Sequence, residues 1–121
     1  MQRMILIVDD SASMRQLMAF TLQDAGYGVL EAADGMDAVQ KAREASVDLV
    51  ITDLHMPEMD GFGLIEALKG LPEYRYKPII MLTTESAESK KHQGKLLGAS
   101  GWIVKPFTPE QLVRVVEKFV R

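Results

Sequence analysis

The sequence predicts an α/β fold: a five-stranded parallel sheet with helices on both faces, built from five consecutive βα units. Three observations predict it. Short, continuous apolar runs recur along the chain, the pattern of strands covered on both faces. Stretches of helical periodicity separate them, most introduced by a capping residue. Four of the runs stop abruptly on polar side chains: Met4–Val8 on Asp9-Asp10, Leu49–Thr52 on Asp53, 79–82 on Thr83-Thr84, and 102–104 on Lys105-Pro106.

Taken in order, the first strand is followed by a polar turn from Asp9 to Ser13. Ser13 with Gln16 three residues on forms a capping box, and Ser11 is the alternative cap. Met14, Leu17, Met18, Thr21, Leu22 and Ala25 give the first helix its buried stripe, and Gly26 stops it. Residues 29–32 form a shorter second strand. Asp34-Gly35 opens the second helix, Asp37 complements the dipole in its first turn, and Val39, Ala42 and Ala45 form its inner face. Beyond the third strand, a loop with Pro57, Asp60 and Gly61 leads into a helix begun by Phe62, Leu64, Ile65 and Leu68. A longer connection, 70–78, rich in proline and tyrosine, reaches the fourth strand. Residues 86–98 read as a helix that is mostly polar, with Gly94 inside it and only Ala87, Leu96 and Leu97 to bury, so it is expected to be loosely held. After the fifth strand, Thr108-Pro109-Glu110-Gln111 combines a cap, a proline at the first helical position and a reciprocal glutamine. Leu112, Val113, Val116, Phe119 and Val120 pack the last helix.

The 121 residues suit a single domain, 1–121, with no linker, repeat or low-complexity stretch. The net charge of −3 and the scattered lysines and arginines argue against a nucleic-acid surface. There are no cysteines, which removes disulfides and thiolate metal sites and fits a reducing compartment. No apolar run approaches membrane-spanning length, and acids follow the first short run too soon for a secretion signal. The expectation is a cytoplasmic monomer without membrane insertion.

In open parallel sheets the site lies beyond the carboxyl ends of the strands. That rule brings Asp9, Asp10, Asp53, Thr83 and Lys105 together. Carboxylates in contact repel unless a cation is present. An oxygen-only set suits a hard divalent ion, magnesium (Mg2+) first and manganese as its substitute. Asp9 and Asp10 taken alone read equally well as acids at a helix N-terminus; a third acid ending another strand favours the metal. Asp53 is open to three roles: ligand, nucleophile or both. As a nucleophile it would form an acyl phosphate, with Lys105 supplying an ammonium and Thr83 a hydroxyl to the phosphoryl oxygens. Thr84 reads as a turn hydroxyl. The side chains of His55 and His92 are not metal ligands in this reading. His55, two residues after Asp53, is placed to modulate water access. The eight methionines are scattered and read as core filler.

These residues carry a resemblance. Asp9-Asp10, Asp53 within Thr-Asp-Leu-His-Met-Pro-Glu-Met-Asp-Gly, Thr83 after an apolar strand, and Lys105-Pro106-Phe107 resemble the receiver domains of two-component response regulators, over essentially the whole chain. The resemblance implies the CheY-like (flavodoxin-like) strand order 2-1-3-4-5 and phosphoryl transfer from a histidine kinase to Asp53. It implies Asp10 and Asp53 as side-chain metal ligands, the backbone carbonyl of His55 as a third, and Asp9 acting mainly through water. Lys105 would contact the phosphoryl group, Thr83 would hydrogen-bond it, and the Lys105–Pro106 bond would be cis. Trp102, three residues before the lysine, stands where the family has a switching tyrosine or phenylalanine; a strand residue covering its neighbours is the equal alternative. The run Met81-Leu82-Thr83-Thr84-Glu85-Ser86 looks like that of stand-alone chemotaxis receivers, which implies a chemotaxis-type histidine kinase and a flagellar motor switch protein as partners. A phosphorelay shuttle or a phosphate sink is the alternative. No separate substrate turnover is expected. An aspartyl phosphatase of the haloacid dehalogenase type needs two acids spaced by one residue, and Asp9 and Asp10 are adjacent. A flavodoxin needs a glycine-bearing phosphate loop, which Asp9-Asp10-Ser11-Ala12-Ser13 lacks. A receiver-like module that no longer accepts phosphate would not need the complete residue set.

Overall fold

The computed structural model describes residues 2–120; the terminal residues 1 and 121 of the expected domain lie outside them. Strands and helices alternate: β1 Met4–Val8, α1 Ala12–Asp24, β2 Gly28–Ala32, α2 Gly35–Glu44, β3 Leu49–Thr52, α3 Gly61–Lys69, a 3-10 turn Pro72–Tyr74, β4 Ile79–Thr83, α4 Glu88–Leu97, β5 Gly101–Val104 and α5 Pro109–Phe119. The strands form one parallel sheet in the order β2-β1-β3-β4-β5, as the resemblance implies. Among the described residues no helix is long and apolar enough to cross a membrane.

Strand side chains point alternately to the two faces, so the core falls into two halves. Leu6, Val8, Val50 and Met81 meet α2 and α3 through Ala38, Ala42, Phe62, Leu64, Ile65 and Leu68. Ile5, Ile7, Ile51, Ile80, Leu82 and Ile103 meet α1 and α5 through Met18, Leu22, Leu112 and Val116. β1 and β3 lie inside the sheet and are covered on both sides, which is why their sequences run apolar without alternation.

Caps account for most helix starts. Asp34, Asp60 and Thr108 accept the N–H groups of Asp37, Gly63 and Gln111. At α1 the cap is Ser11, which accepts the Met14 N–H at 3.2 Å, and Ser13 lies inside the helix. Gly26 stops α1 with φ +99°. The expected stripes are corrected in three places. In α1, Leu17 is 47% exposed and Ala25 is exposed, while Ala19 is buried; the sheet contact centres on Met18 and Leu22, and a small side chain beside them lets the helix approach. In α2 Gly35, Ala38 and Ala42 are buried and Val39 packs half-buried against the same core, while Ala45 lies beyond the helix as its C-cap. In α4, Ala87 and Leu96 face solvent, and the buried residue of the helix is Gly94. The connection after α3 is ordered by Tyr74. Its buried hydroxyl lies 2.6 Å from the Ala42 carbonyl and 2.9 Å from that of Ala45, and accepts the Val47 N–H at 3.3 Å.

Candidate functional site

The carboxyl ends of β1, β3, β4 and β5 deliver the polar residues to one edge. Asp9 follows β1 directly and stays in ladder register, its N–H donating to the Ala32 carbonyl at 3.2 Å. It is 2% exposed. Its Oδ1 accepts the Ser11 N–H at 2.9 Å, which turns the chain into α1. The Arg15 guanidinium donates back to the Asp9 carbonyl at 2.6 Å. Asp10 is exposed beside it. Asp53 follows β3 and donates its N–H to the Val8 carbonyl at 3.0 Å. Its Oδ1 accepts the N–H groups of Leu54 at 2.7 Å and His55 at 3.3 Å. Those bonds orient the carboxylate and leave Oδ2 free to face the cluster.

The loop after Asp53 can fold back because Gly61 has no side chain. A Cβ there would meet the Asp53 carbonyl oxygen at 2.6 Å and the Leu54 Cα at 2.9 Å, both backbone atoms that cannot move aside.

Lys105 ties the acids together. Its backbone N–H donates to the Thr83 carbonyl at 2.8 Å, and the Lys105–Pro106 bond is cis. Its ammonium lies 2.9 Å from Asp9 Oδ2 and 3.0 Å from Asp53 Oδ2, with the lysine side chain 12% exposed. Burial by itself pulls the ammonium pKa down; the hydrogen bonds and charges of Asp9 and Asp53 outweigh it and leave the pKa above its ordinary 10.5. The lysine is therefore charged throughout the physiological range.

Asp9, Asp10 and Asp53 each offer an oxygen within 4.8 Å of the others. The ammonium contacts two of the three carboxylates, and neither a histidine nor a cysteine side chain belongs to the group. An excess of negative charge on hard oxygen donors, one of them exposed, fits a hard divalent cation. Thr83 is fully buried at the end of β4, and its Oγ1 accepts the Glu85 N–H at 3.3 Å. As an acceptor in that bond, the hydroxyl keeps its own proton free to donate.

Asp9, Asp10, Asp53 and Lys105 meet at this edge, and Thr83 adjoins them through its carbonyl bond to the Lys105 N–H. His92 lies exposed on α4, outside the carboxylate group, and Thr84 is exposed. One residue the sequence reading passed over joins the parts. The Glu85 carbonyl accepts the Trp102 indole N–H at 2.9 Å. Its carboxylate lies 3.4 Å from His55 Nε2 and also accepts the Ala87 N–H at 3.2 Å. Glu85 thus contacts Thr83, Trp102 and His55 from one position. An acid in a polar turn has no periodicity to mark it, so only the spatial contacts identify it.

The comparisons with known proteins agree with this geometry. The family model of the response regulator receiver domain matches residues 5–117. The chain is 39% identical to the chemotaxis protein CheY1 of Helicobacter pylori over 93% of both chains. It is 40% identical to the transcriptional regulatory protein ResD of Bacillus subtilis, covering 97% of this chain and 48% of that one. The chain thus spans about half the length of several curated relatives it matches. The structure of chemotaxis protein CheY4 of Vibrio cholerae superposes with a TM-score of 0.96 at 47% identity, covering 99% of this chain and all of that one.

Proposed function

The chain belongs to the response regulator receiver family, and from that premise we propose that it takes a phosphoryl group from a histidine kinase onto Asp53. The observation that carries this reading is the orientation of the Asp53 carboxylate: Oδ1 is held by two backbone N–H groups while Oδ2 faces the Lys105 ammonium at 3.0 Å. Oδ2 is the nucleophile. It forms the O–P bond as the P–N bond to the donor imidazole breaks, giving an acyl phosphate on the chain. Lys105 moves from bridging two carboxylates to contacting the phosphoryl oxygens, and the Thr83 hydroxyl donates to another. Asp10, Asp53 and the His55 backbone carbonyl would hold a magnesium or manganese ion, with Asp9 acting chiefly through water, and the ion would supply the remaining charge neutralisation. The chain assists its own phosphorylation and dephosphorylation and turns over no separate substrate.

Output follows from Thr83. Drawing its hydroxyl toward the phosphoryl group pulls on Glu85, and through Glu85 on the start of α4, against the indole whose N–H the Glu85 carbonyl accepts. Trp102 and the later part of α4 border a groove lined by Lys91, Lys95, Ala99, Ser100, Gly101 and Trp102. The surface of α4, Trp102 and α5 is the one that binds a partner. The similarity to two chemotaxis proteins over nearly their whole lengths supports chemotaxis signalling in the cytoplasm, with a chemotaxis-type kinase upstream and the flagellar motor switch downstream. The match to half of a transcriptional regulator supports the receiver chemistry without the motor, as would a phosphorelay shuttle or a phosphate sink. His55, 60% exposed and bridged to Glu85, limits water access to the acyl phosphate.

Incubation with magnesium and acetyl phosphate, followed by intact mass measurement, tests the chemistry. The protein gains one phosphoryl group and Asp53→Ala gains none; labelling of Asp53→Ala, or none in the parent, rejects the reading. Phosphorylation-dependent binding to an isolated motor switch protein tests the output, and equal binding with and without phosphodonor rejects it. His55→Ala shortens the phosphoryl lifetime; an unchanged lifetime removes His55 from the mechanism.

A further inference from the structure

Trp102 is the only tryptophan of the chain, and it is held from three sides. Its indole N–H donates to the Glu85 carbonyl at 2.9 Å. Its ring lies against Phe62, with centroids 6.4 Å apart and planes tilted by 44°. On the third side it meets α4 at Gly94. A Cβ there would lie 2.8 Å from indole Cζ3, 3.4 Å from Cε3 and 3.4 Å from a ring atom of Phe62. The indole is rigid and already pinned at two other places, so it cannot yield as the tip of a flexible side chain would.

A glycine inside a helix lowers helix stability, because it has more backbone freedom to lose. α4 can spare little: Gly94 is the residue it buries, and no side chain caps its N-terminus. The glycine is explained by what it admits.

We propose that Gly94 is a notch that locks the Trp102 indole inward whether or not Asp53 is phosphorylated, so that the signal travels by displacement of the segment between β4 and α4 and not by rotation of the aromatic side chain. Rotation outward would break the indole bond to Glu85, leave the notch as a void beside Phe62 and expose the ring. Displacement leaves the ring in the notch and against Phe62, and only the Glu85 bond has to follow the moving segment. Glu85 is tied to Thr83 through its N–H and to the indole through its carbonyl, so movement of Thr83 shifts the start of α4 about a fixed ring. Lys91 and Lys95, one helical turn before and one residue after Gly94, border the groove beside Trp102. Their position relative to the indole is what changes. This signalling consequence rests on the phosphoacceptor reading; the notch does not.

A double-mutant cycle in thermal unfolding, without phosphodonor, tests the notch. Gly94→Ala lowers the Tm in the parent and raises it in a Trp102→Val background, where only the gain in helix propensity remains. A higher Tm for Gly94→Ala with Trp102 present, or the same shift in both backgrounds, overturns it. The lock is tested in the unmodified protein by acrylamide quenching of Trp102, with and without magnesium and acetyl phosphate, the label being measured by mass in the same sample. The quenching constant of labelled protein stays within about twofold of the unlabelled value. A several-fold change overturns the lock. Protein that takes no label removes the phosphoacceptor reading and with it the signalling half of the proposal, while the unfolding cycle decides the notch alone.

Discussion

The two helices that flank β5 are built to opposite standards. α5 begins with Thr108 capping the Gln111 N–H and with Pro109 at its first position. It buries Leu112 and Val116 completely, and the Tyr27 hydroxyl donates to the Val120 carbonyl just beyond its end. α4 begins after Ala87 with no side-chain cap, exposes 74% of Leu96, fully buries only Gly94 and half-buries Leu97 against the core. The difference shows where the fold is free to move. A segment with few buried apolar contacts opens at low free energy, and this one follows directly on Thr83. α5 is anchored to one face of the sheet by its buried side chains, and α4 is the more weakly held of the two.

Core truncation gives the largest contrast. Leu112→Ala in α5 removes a fully buried side chain and should cost about 2–5 kcal/mol. Leu96→Ala in α4 should change stability by no more than about 0.5 kcal/mol. Urea unfolding of both variants measures the difference, and comparable losses would end the claim that the two helices are held differently.

The caps give a smaller effect of opposite sign in the two helices. Thr108→Ala removes a cap and should cost about 1 kcal/mol. Ala87→Ser adds one where none exists and should stabilise by less than about 1 kcal/mol. Native-state hydrogen exchange sharpens this: Ala87→Ser should slow exchange in α4 alone, and unchanged exchange there would show that its opening is limited by something other than its N-terminus.

Alkaline pH gives the smallest and most local effect. Burial, with the Glu117 charge second, raises the Tyr27 hydroxyl pKa above its ordinary 10.0. The neutral phenol is the form the fold favours, so its stabilisation is complete below about pH 10 and is lost as pH climbs through the raised folded value. Tyr27→Phe should flatten that loss. An identical alkaline slope in the variant would detach Tyr27 from the anchoring of α5.

The continuous apolar runs and the polar residues that end them determined the parallel sheet and placed Asp9, Asp10, Asp53, Thr83 and Lys105 at its edge, because strand covering and chain direction are both written locally. Asp34 and Thr108 marked helix starts for the same reason, since a cap bonds only two or three residues away, whereas Asp60 read as part of a loop and proved to be a cap. The expected weakness of α4 was likewise legible in its polar composition. Other features depended on distant neighbours. Whether Leu17 or Ala19 is buried depends on where α1 rests against the sheet and how far α5 extends over it. Gly94 read as an interruption until Trp102, eight residues on, was found to fill the space. Glu85 carried no role in the sequence, and its backbone and side chain join Thr83, Trp102 and His55. Periodicity states that a face will be buried, and sequence order states which strand ends converge. Only tertiary packing decides which side chain meets which, because those contacts join residues far apart in the chain through shapes that no short stretch contains.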